Sequence, residues 1–281
     1  MSDSTPVPSG EQPVEQPVEQ PREDGRQPVK GIFSAQEIRK VGTGTTQRKI
    51  IQKTYWHALE LQNGDIELQV LNPNYIPAGP KKIVPLDQFL EKLKVFGSTS
   101  DIIVLGGRLP NGADVDYYKH CIESLCDHPV KVIIDADGES LKRAITAKPF
   151  LIKPNAYELG MLFDEQVHTV EDAVALSRKI TDRGVQIVCC SLGELGAVIV
   201  DSDSAWFSPA VSIEPKGYQG AGDSMVAGIC KAMTEDLPLS EMLRYGTAAA
   251  AASLIREGTL LCQKSDFDLF LKDVRVNEVY P

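Results

Sequence analysis

A glycine-rich turn that leads directly into a helix of small residues limits the folds open to this chain. Residues 217–222 read GYQGAG, Asp223 follows at once, and the small and apolar residues after it predict a helix to about Thr234. The first amide groups of a helix have no partner within the helix and carry partial positive charge. Glycine also lets a ligand approach that backbone closely. The stretch therefore suits a phosphate group, or the charge that develops during phosphoryl transfer.

Asp223 has two interpretations that these residues alone leave equally open. Beside an anion pocket, a carboxylate can accept the proton of an attacking hydroxyl. Alternatively, Asp223 caps a buried helix, and the glycines before it only permit close packing.

The overall composition restricts the partners and the compartment. A formal charge of −10 argues against nucleic acid or an anionic membrane as the main partner, whereas a phosphorylated small molecule needs only local positive potential. No apolar run approaches membrane-spanning length, and the amino terminus lacks the layout of a signal peptide. The six cysteines form no paired CxxC motif, and Cys189 and Cys190 lie in an apolar, strand-like run. We therefore expect reduced thiols in a cytoplasmic protein.

Composition divides the chain into three parts. Residues 1–28 repeat Glu-Gln-Pro-Val and are rich in proline and acid, which predicts a disordered tail. Residues 29–84 contain two strand-like runs, 49–61 and 65–71, on either side of the turn former Asn63-Gly64, and predict a small antiparallel β module. Residues 85–281 form the third part.

Strands and helices alternate in that third part, which predicts an α/β fold: a mostly parallel sheet with helices on both faces. The expected strands are 101–105, 130–135, 150–152, 185–190 and 197–200. The expected helices are 85–95, ended by a break at 97–100, then 114–126, 139–147, 156–163, 169–182, 223–234 and 241–255. Thr169, with Asp172 three residues on, is expected to cap the helix 169–182. Ligands of such sheets collect beyond the carboxyl ends of the strands.

Polar residues follow the strands at those ends. Asp135 closes one predicted strand, and Lys153-Pro154-Asn155 follows the next, with Glu158 three residues beyond Asn155. Asn155 and Glu158 share a helix face and could present two oxygens to a hydrated Mg²⁺. Taken alone, the pair is more typical of a helix-capping Asn with a solvated Glu. The turn 191–197 could pass under a nucleotide, although most such turns bind nothing.

In this order, the residues resemble the carboxyl-terminal part of the ribokinase-like PfkB carbohydrate kinases, in the branch of 1-phosphofructokinase and tagatose-6-phosphate kinase. The resemblance runs from about Asp101 to Val274. It is carried by Gly107-Arg-Leu-Pro110, by 135–138, by 151–159, by 191–197 and by 220–228.

The resemblance implies a ribokinase-like fold truncated at its amino-terminal half, and ATP-dependent phosphoryl transfer to a hydroxyl of a sugar phosphate. It implies that Asp223 is the catalytic base and that the backbone of Gly220, Ala221 and Gly222 forms the anion hole. It also implies that Asn155 and Glu158 organise Mg²⁺. The residues expected to bind ATP are Ser191, Gly193, Gly196, Lys153, Asn155 and Glu158.

The family's amino-terminal sugar-binding motifs, of the Asn-Pro-Ala-x-x-Asp and Gly-Gly-Lys-Gly types, do not occur in this sequence. Two other hypotheses therefore stand beside the kinase. One is a nucleotide-binding or regulatory module without catalytic activity. The other is an interaction protein whose open sheet edge is covered by a partner or by a second copy, as in a homodimer.

Overall fold

The computed structural model describes residues 30–41, 48–60, 66–70, 81–84, 86–107, 114–257 and 262–279. The predicted tail 1–28, the Asn63-Gly64 turn and the segment Arg108-Leu109-Pro110 lie outside the described residues.

The four amino-terminal strands form an antiparallel sheet. They are β1 (Lys30–Val41), β2 (Arg48–Glu60), β3 (Ile66–Val70) and β4 (Lys82–Val84), in the order β1-β2-β3-β4. In the β2–β3 pair, Trp56 lies opposite Val70 and Glu60 lies opposite Ile66, which confirms the strands expected at 49–61 and 65–71. The boundary placed at residue 84 stays a prediction.

A second sheet follows, and seven of its strands lie within the described residues, in the order β11-β10-β9-β8-β7-β6-β5. Strands β5 to β8 are parallel to one another, and β8 to β11 pair antiparallel. The α/β class is therefore confirmed. The strands β10 and β11 were not predicted: β11 has only two residues, and the five residues of β10, AWFSP, show no alternating pattern and end in proline. The seven strands are β5 (Ile102–Gly106), β6 (Lys131–Asp135), β7 (Leu151–Ile152), β8 (Ile187–Ser191), β9 (Gly196–Val200), β10 (Ala205–Pro209) and β11 (Asn277–Glu278).

Helices cover both faces of this sheet. One face buries side chains such as Ile134 and Val188 against α1 to α5, and the other buries Ile133 and Ile199 against α6 and α7. No helix in the part of the chain that the structure describes is both long and apolar enough to cross a membrane. The helices are α1 (Leu86–Thr99), α2 (Tyr117–Ser124), α3 (Gly138–Thr146), α4 (Ala156–Met161), α5 (Val170–Thr181), α6 (Ala221–Thr234), α7 (Leu239–Leu254) and α8 (Lys264–Phe270).

The expected break after residue 95 was wrong, because α1 continues to Thr99. Gly97 is buried, and the hydroxyls of Ser98 and Thr99 donate hydrogen bonds to the carbonyls of Lys94 and Val95, at 3.1 Å each. Residues that favour turns thus bond within the helix instead of ending it. Cys189 and Cys190 lie fully buried in β8, which confirms the strand expected at 185–190.

Helices α6 and α7 approach closely because glycine lies at their contact. An ideal Cβ built on Gly228 would lie 2.4 Å from the carbonyl oxygen of Tyr245, and one on Gly246 would lie 3.0 Å from Cγ1 of Ile229. Since α6 also packs on the sheet through Ile229, this contact fixes the helix in place.

We expect Gly228→Ala to lower the free energy of unfolding by about 1–2 kcal/mol, because the added methyl overlaps the backbone of α7 while the gain in helix propensity offsets only part of the cost. Urea unfolding followed by circular dichroism measures the change. Ala227→Ser, at an exposed position of the same helix, is the control and should change the midpoint little. An unchanged midpoint for Gly228→Ala would contradict the close packing.

Candidate active site

The carboxyl ends of the parallel strands β5 to β8 form one edge of the sheet, where backbone hydrogen bonds tie them together. The amide of Gly107, just after β5, donates to the carbonyl of Asp135 at 3.0 Å. The amide of Ser191, at the end of β8, donates to the carbonyl of Pro154 at 3.1 Å. The sequence placed Asp135 and Ser191 at this edge, and the structure confirms their positions.

The amino terminus of α6 presents free amide groups. Gly220 precedes the helix with φ +77°, a left-handed conformation that favours glycine, and no side chain of the described residues caps the helix. The amide of Ser224 is bonded to the carbonyl of Gly220 at 2.9 Å, so the amides before it have no partner in the helix. We call the amides of residues 220–223 the amide cradle. Their partial positive charge suits an anion.

A buried ion pair lies directly beneath this cradle. The ammonium Nζ of Lys153 is 3.1 Å from Oδ1 of Asp135, and the two side chains are 6% and 20% exposed. An ideal Cβ on Gly222 would lie 3.1 Å from that Nζ and 3.9 Å from Oδ2 of Asp135. The ammonium therefore lies where it could donate a hydrogen bond to a phosphate bound on the cradle, in addition to those from the amides.

Burial and neighbouring charges set the protonation of this pair. Burial lowers the pKa of Lys153, but the contact with Asp135 outweighs it, so the pKa of the ammonium lies above its usual value and the group stays charged. Burial is also the largest influence on Asp135 and raises the pKa of its carboxyl. Lys153 opposes that rise, whereas the negative charges of Asp223 and Glu158 add to it. The three carboxylates and the ammonium thus form one electrostatic cluster.

Asp223 is the third residue of α6 and its side chain is exposed. Gly220 occupies the capping position, so the structure does not support the interpretation of Asp223 as a helix cap. An exposed carboxylate beside the amide cradle can accept a proton from a bound hydroxyl.

Asn155 and Glu158 form a capping box at the start of α4. Oδ1 of Asn155 accepts from the amide of Glu158, and Oε2 of Glu158 accepts from the amide of Asn155, both at 2.9 Å. The capping interpretation of Asn155 is therefore correct, and it fixes the carboxylate of Glu158 toward the strand edge.

The same geometry is compatible with magnesium. The other carboxylate oxygen of Glu158 has no hydrogen bond among the described residues. No group of three His, Cys, Asp or Glu side chains within the described ranges could hold a metal alone. Magnesium usually keeps several waters and binds one or two protein carboxylates together with substrate phosphates, so a single placed carboxylate fits it. The roles of Asn155 and Glu158 toward Mg²⁺ stay a prediction.

The residues of the 191–197 turn differ in what they can contribute. Ser191 pairs with Asn155 in a parallel bridge, so both lie at the same edge. A Cβ on Gly193 would meet nothing within 4 Å, which leaves open space for a ligand. A Cβ on Gly196 would lie 2.0 Å from the carbonyl oxygen of Ser208, so packing alone requires glycine there. The nucleotide-binding roles of these three residues remain predictions.

Sequence reasoning missed the contact between Asp135 and Lys153. It noted Asp135 only as the end of a strand, and no local pattern joins two residues on neighbouring parallel strands. The hydrogen bond from the Tyr118 hydroxyl to the carbonyl of Gly107, at 2.8 Å, was also missed, because it joins α2 to the end of β5 and no local pattern predicts it.

Known proteins similar to this chain are sugar-phosphate kinases. The family model described as pfkB family carbohydrate kinase matches residues 86–266. The chain is 33% identical to 1-phosphofructokinase of Bacillus subtilis over 60% of this chain and 55% of that protein. It is 31% identical to 1-phosphofructokinase of Borreliella burgdorferi over 67% of this chain and 61% of that protein. The chain thus spans little more than half the length of these relatives.

A solved structure is similar as well. Phosphofructokinase-2 of Escherichia coli, crystallised in complex with substrates and products, matches with a TM-score of 0.61 and 28% identity. The match covers 69% of this chain and 66% of that one.

We expect Asn155→Ala to lower the free energy of unfolding by about 1 kcal/mol through loss of the cap, and also to weaken binding of a Mg²⁺-bound nucleotide. Thr169→Ala is the matched control, because Thr169 forms the same kind of capping box with Asp172 on α5, outside the cluster. Urea unfolding and calorimetry with the ATP analogue AMP-PNP measure the two effects. Equal loss of nucleotide binding in both variants would contradict a site role for Asn155.

Proposed function

The chain belongs to the pfkB family of carbohydrate kinases, and from this membership we propose that it transfers a phosphoryl group from ATP to a hydroxyl of a sugar phosphate, in the manner of a 1-phosphofructokinase. The observation that carries the proposal is the amide cradle of α6 with the Lys153 ammonium beneath it and Asp223 exposed beside it. The names of the curated relatives support a sugar phosphate as the acceptor. The proposed compartment is the cytoplasm.

The residues of the site have separate roles in the proposed phosphoryl transfer. Asp223 takes the proton of the acceptor hydroxyl, whose oxygen bonds to the γ-phosphorus while the bond to the bridging oxygen breaks and ADP leaves. The backbone of Gly220, Ala221 and Gly222 donates to the oxygens of the transferred group, and Lys153 adds a positive charge. These donors are fixed before the reaction, which spares the cost of reorienting them.

The remaining predicted residues hold the nucleotide. Ser191, Gly193 and Gly196 line the turn that we propose to lie under ATP. Asn155 and Glu158 are the residues proposed to hold Mg²⁺, which when bound neutralises charge on the phosphates.

A second candidate function is a nucleotide-binding module without catalytic activity. It is favoured by the partial coverage of the relatives, since the chain spans 55% of one and 61% of the other. Such a module keeps the phosphate site and lacks turnover.

We expect Asp223→Asn to lower kcat by about 10²- to 10⁴-fold, because the amide cannot accept the acceptor's proton, while AMP-PNP binding is retained. A coupled assay of ADP release, with fructose 1-phosphate, fructose 6-phosphate and tagatose 6-phosphate as acceptors, measures it. Asp236→Asn is the control, since this exposed acid lies just beyond the other end of α6. If the unaltered protein binds nucleotide but turns over no faster than Asp223→Asn, the noncatalytic module is the correct function.

We also propose that the chain forms a homodimer through β5. Among the described residues β5 pairs only with β6, and Val104 on it is 44% exposed. An open apolar edge favours pairing with another strand. Antiparallel pairing centred on Val104 places this residue opposite its own copy, as a twofold axis requires.

Val104→Lys should convert the dimer to a monomer, because a charged side chain on an edge strand opposes pairing. Sedimentation equilibrium measures the mass, and Leu269→Lys, at an exposed position of α8, is the control. A monomeric unaltered protein at high concentration would contradict the proposed assembly.

A further inference from the structure

We propose that Asp135 is a positioning residue: its carboxylate holds the ammonium of Lys153 beneath the amide cradle, where that ammonium contacts the terminal phosphate of a bound nucleoside triphosphate. The inference rests on the proposed function, because it concerns the same phosphate site. It assigns Asp135 a role that acts through Lys153 and not through direct contact with the phosphate.

The position of Asp135 is fixed by strand pairing. Asp135 is the last residue of β6 and lies opposite Gly106 in the β5–β6 register. Its carbonyl accepts the amide of Gly107 at 3.0 Å, and an ideal Cβ on Gly106 would lie only 3.3 Å from that carbonyl oxygen. A carboxylate on such a backbone is a rigid anchor, as a positioning residue requires.

The ammonium that it holds faces the cradle. Nζ of Lys153 lies 3.1 Å from Oδ1 of Asp135 and 3.1 Å from the position that a Cβ of residue 222 would occupy. Because residue 222 is glycine, it places no side chain of its own between the ammonium and the first turn of α6. A phosphate on the amides of that turn is therefore within reach of the ammonium.

Lys153 needs such an anchor because a second carboxylate, that of Glu158, also attracts its ammonium. The negative charge of Glu158 acts on Lys153, and those of Asp223 and Glu158 act on Asp135. The lysine stem is flexible, and a buried ammonium without a partner is costly. If Asp135 were absent, the attraction of Glu158 would draw the ammonium toward that carboxylate. It would then leave the cradle and neutralise a carboxylate that the reaction needs.

Removal of the Asp135 carboxylate changes the affinity for a phosphate in two opposite ways. The loss of the Lys153 ammonium as a fixed donor weakens binding, and this effect is the larger. The smaller, opposing effect is that the negative charge of Asp135 near the phosphate disappears, which favours anion binding. That charge is already paired with the ammonium at 3.1 Å, so its net repulsion of a phosphate is small. The charge-assisted hydrogen bond from a fixed ammonium is lost in full.

A double-mutant cycle tests the inference. The variants are Asp135→Ala, Lys153→Met and their combination, and the readout is the Kd of AMP-PNP with MgCl₂, measured by calorimetry. We expect Asp135→Ala to raise this Kd about tenfold in the unaltered background and less than about twofold in the Lys153→Met background, because residues that act as one unit are not additive. Asp135→Asn keeps an oxygen that accepts from the ammonium, so it should recover most of the affinity.

Matched controls separate this role from a merely structural one. Glu139→Ala removes the acid of an exposed ion pair on α3, in which Arg143 lies 3.0 Å from Glu139, and should leave the Kd unchanged. Urea midpoints of all variants report folding. The double variant leaves no unpaired buried charge, so we expect it to fold. If Asp135→Ala does not fold, Asp135→Ser takes its place, because its hydroxyl is too short to reach the ammonium.

The possible outcomes are distinct. A lowered urea midpoint with an unchanged Kd for Asp135→Ala makes the pair purely structural and overturns the inference. An equal loss of affinity in both backgrounds overturns it too, since Asp135 then acts independently of Lys153. If the unaltered protein does not bind AMP-PNP, both the proposed nucleotide site and the inference that rests on it are contradicted.

Discussion

The contact between the first turn of α6 and the ends of β6 and β7 is the interaction on which the site depends. It brings uncapped backbone amides next to a buried ammonium, and an ideal Cβ on Gly222 would lie only 3.1 Å from that ammonium. The rest of the fold maintains this contact. Helix α6 is fixed in its position and orientation by close packing of Gly228 on α7 and by burial of Ile229 against the sheet. The placement of the α6 amides beside the Lys153 ammonium thus depends on the packing of α6 against α7 and the sheet.

The arrangement has the features that the proposed phosphoryl transfer requires around the phosphate. Parallel strands deliver their carboxyl ends to one edge, where the polar residues of the site end β6 and β8, follow β7, or begin α4 and α6. The backbone amides at the start of α6 and the ammonium of Lys153 are suited to stabilise the negative charge that develops on a phosphoryl group during transfer. Since the chain spans 55% and 61% of two curated relatives, the acceptor in the proposed reaction is inferred from similarity alone.

The sequence predicted those features that depend on neighbouring residues. The small residues after Gly220 identified α6, and Thr169 with Asp172 identified the capping box of α5, because both patterns are local. The end of α1 was missed, since burial of Gly97 overrode a run of turn-forming residues. The pair of Asp135 and Lys153 was missed because only the register of β6 and β7 brings these residues together. Contacts across strands are set by tertiary structure, which local patterns do not encode.

A crystal structure of the protein with AMP-PNP and Mg²⁺ would examine this site most directly. We expect the γ-phosphate within hydrogen-bonding distance of the amides of residues 220–223 and of the ammonium of Lys153, with the carboxylate of Asp223 facing the phosphorus from the acceptor side. A triphosphate bound elsewhere on the chain, or a cradle filled by a neighbouring side chain, would contradict the assignment of this sheet edge as a phosphoryl-transfer site.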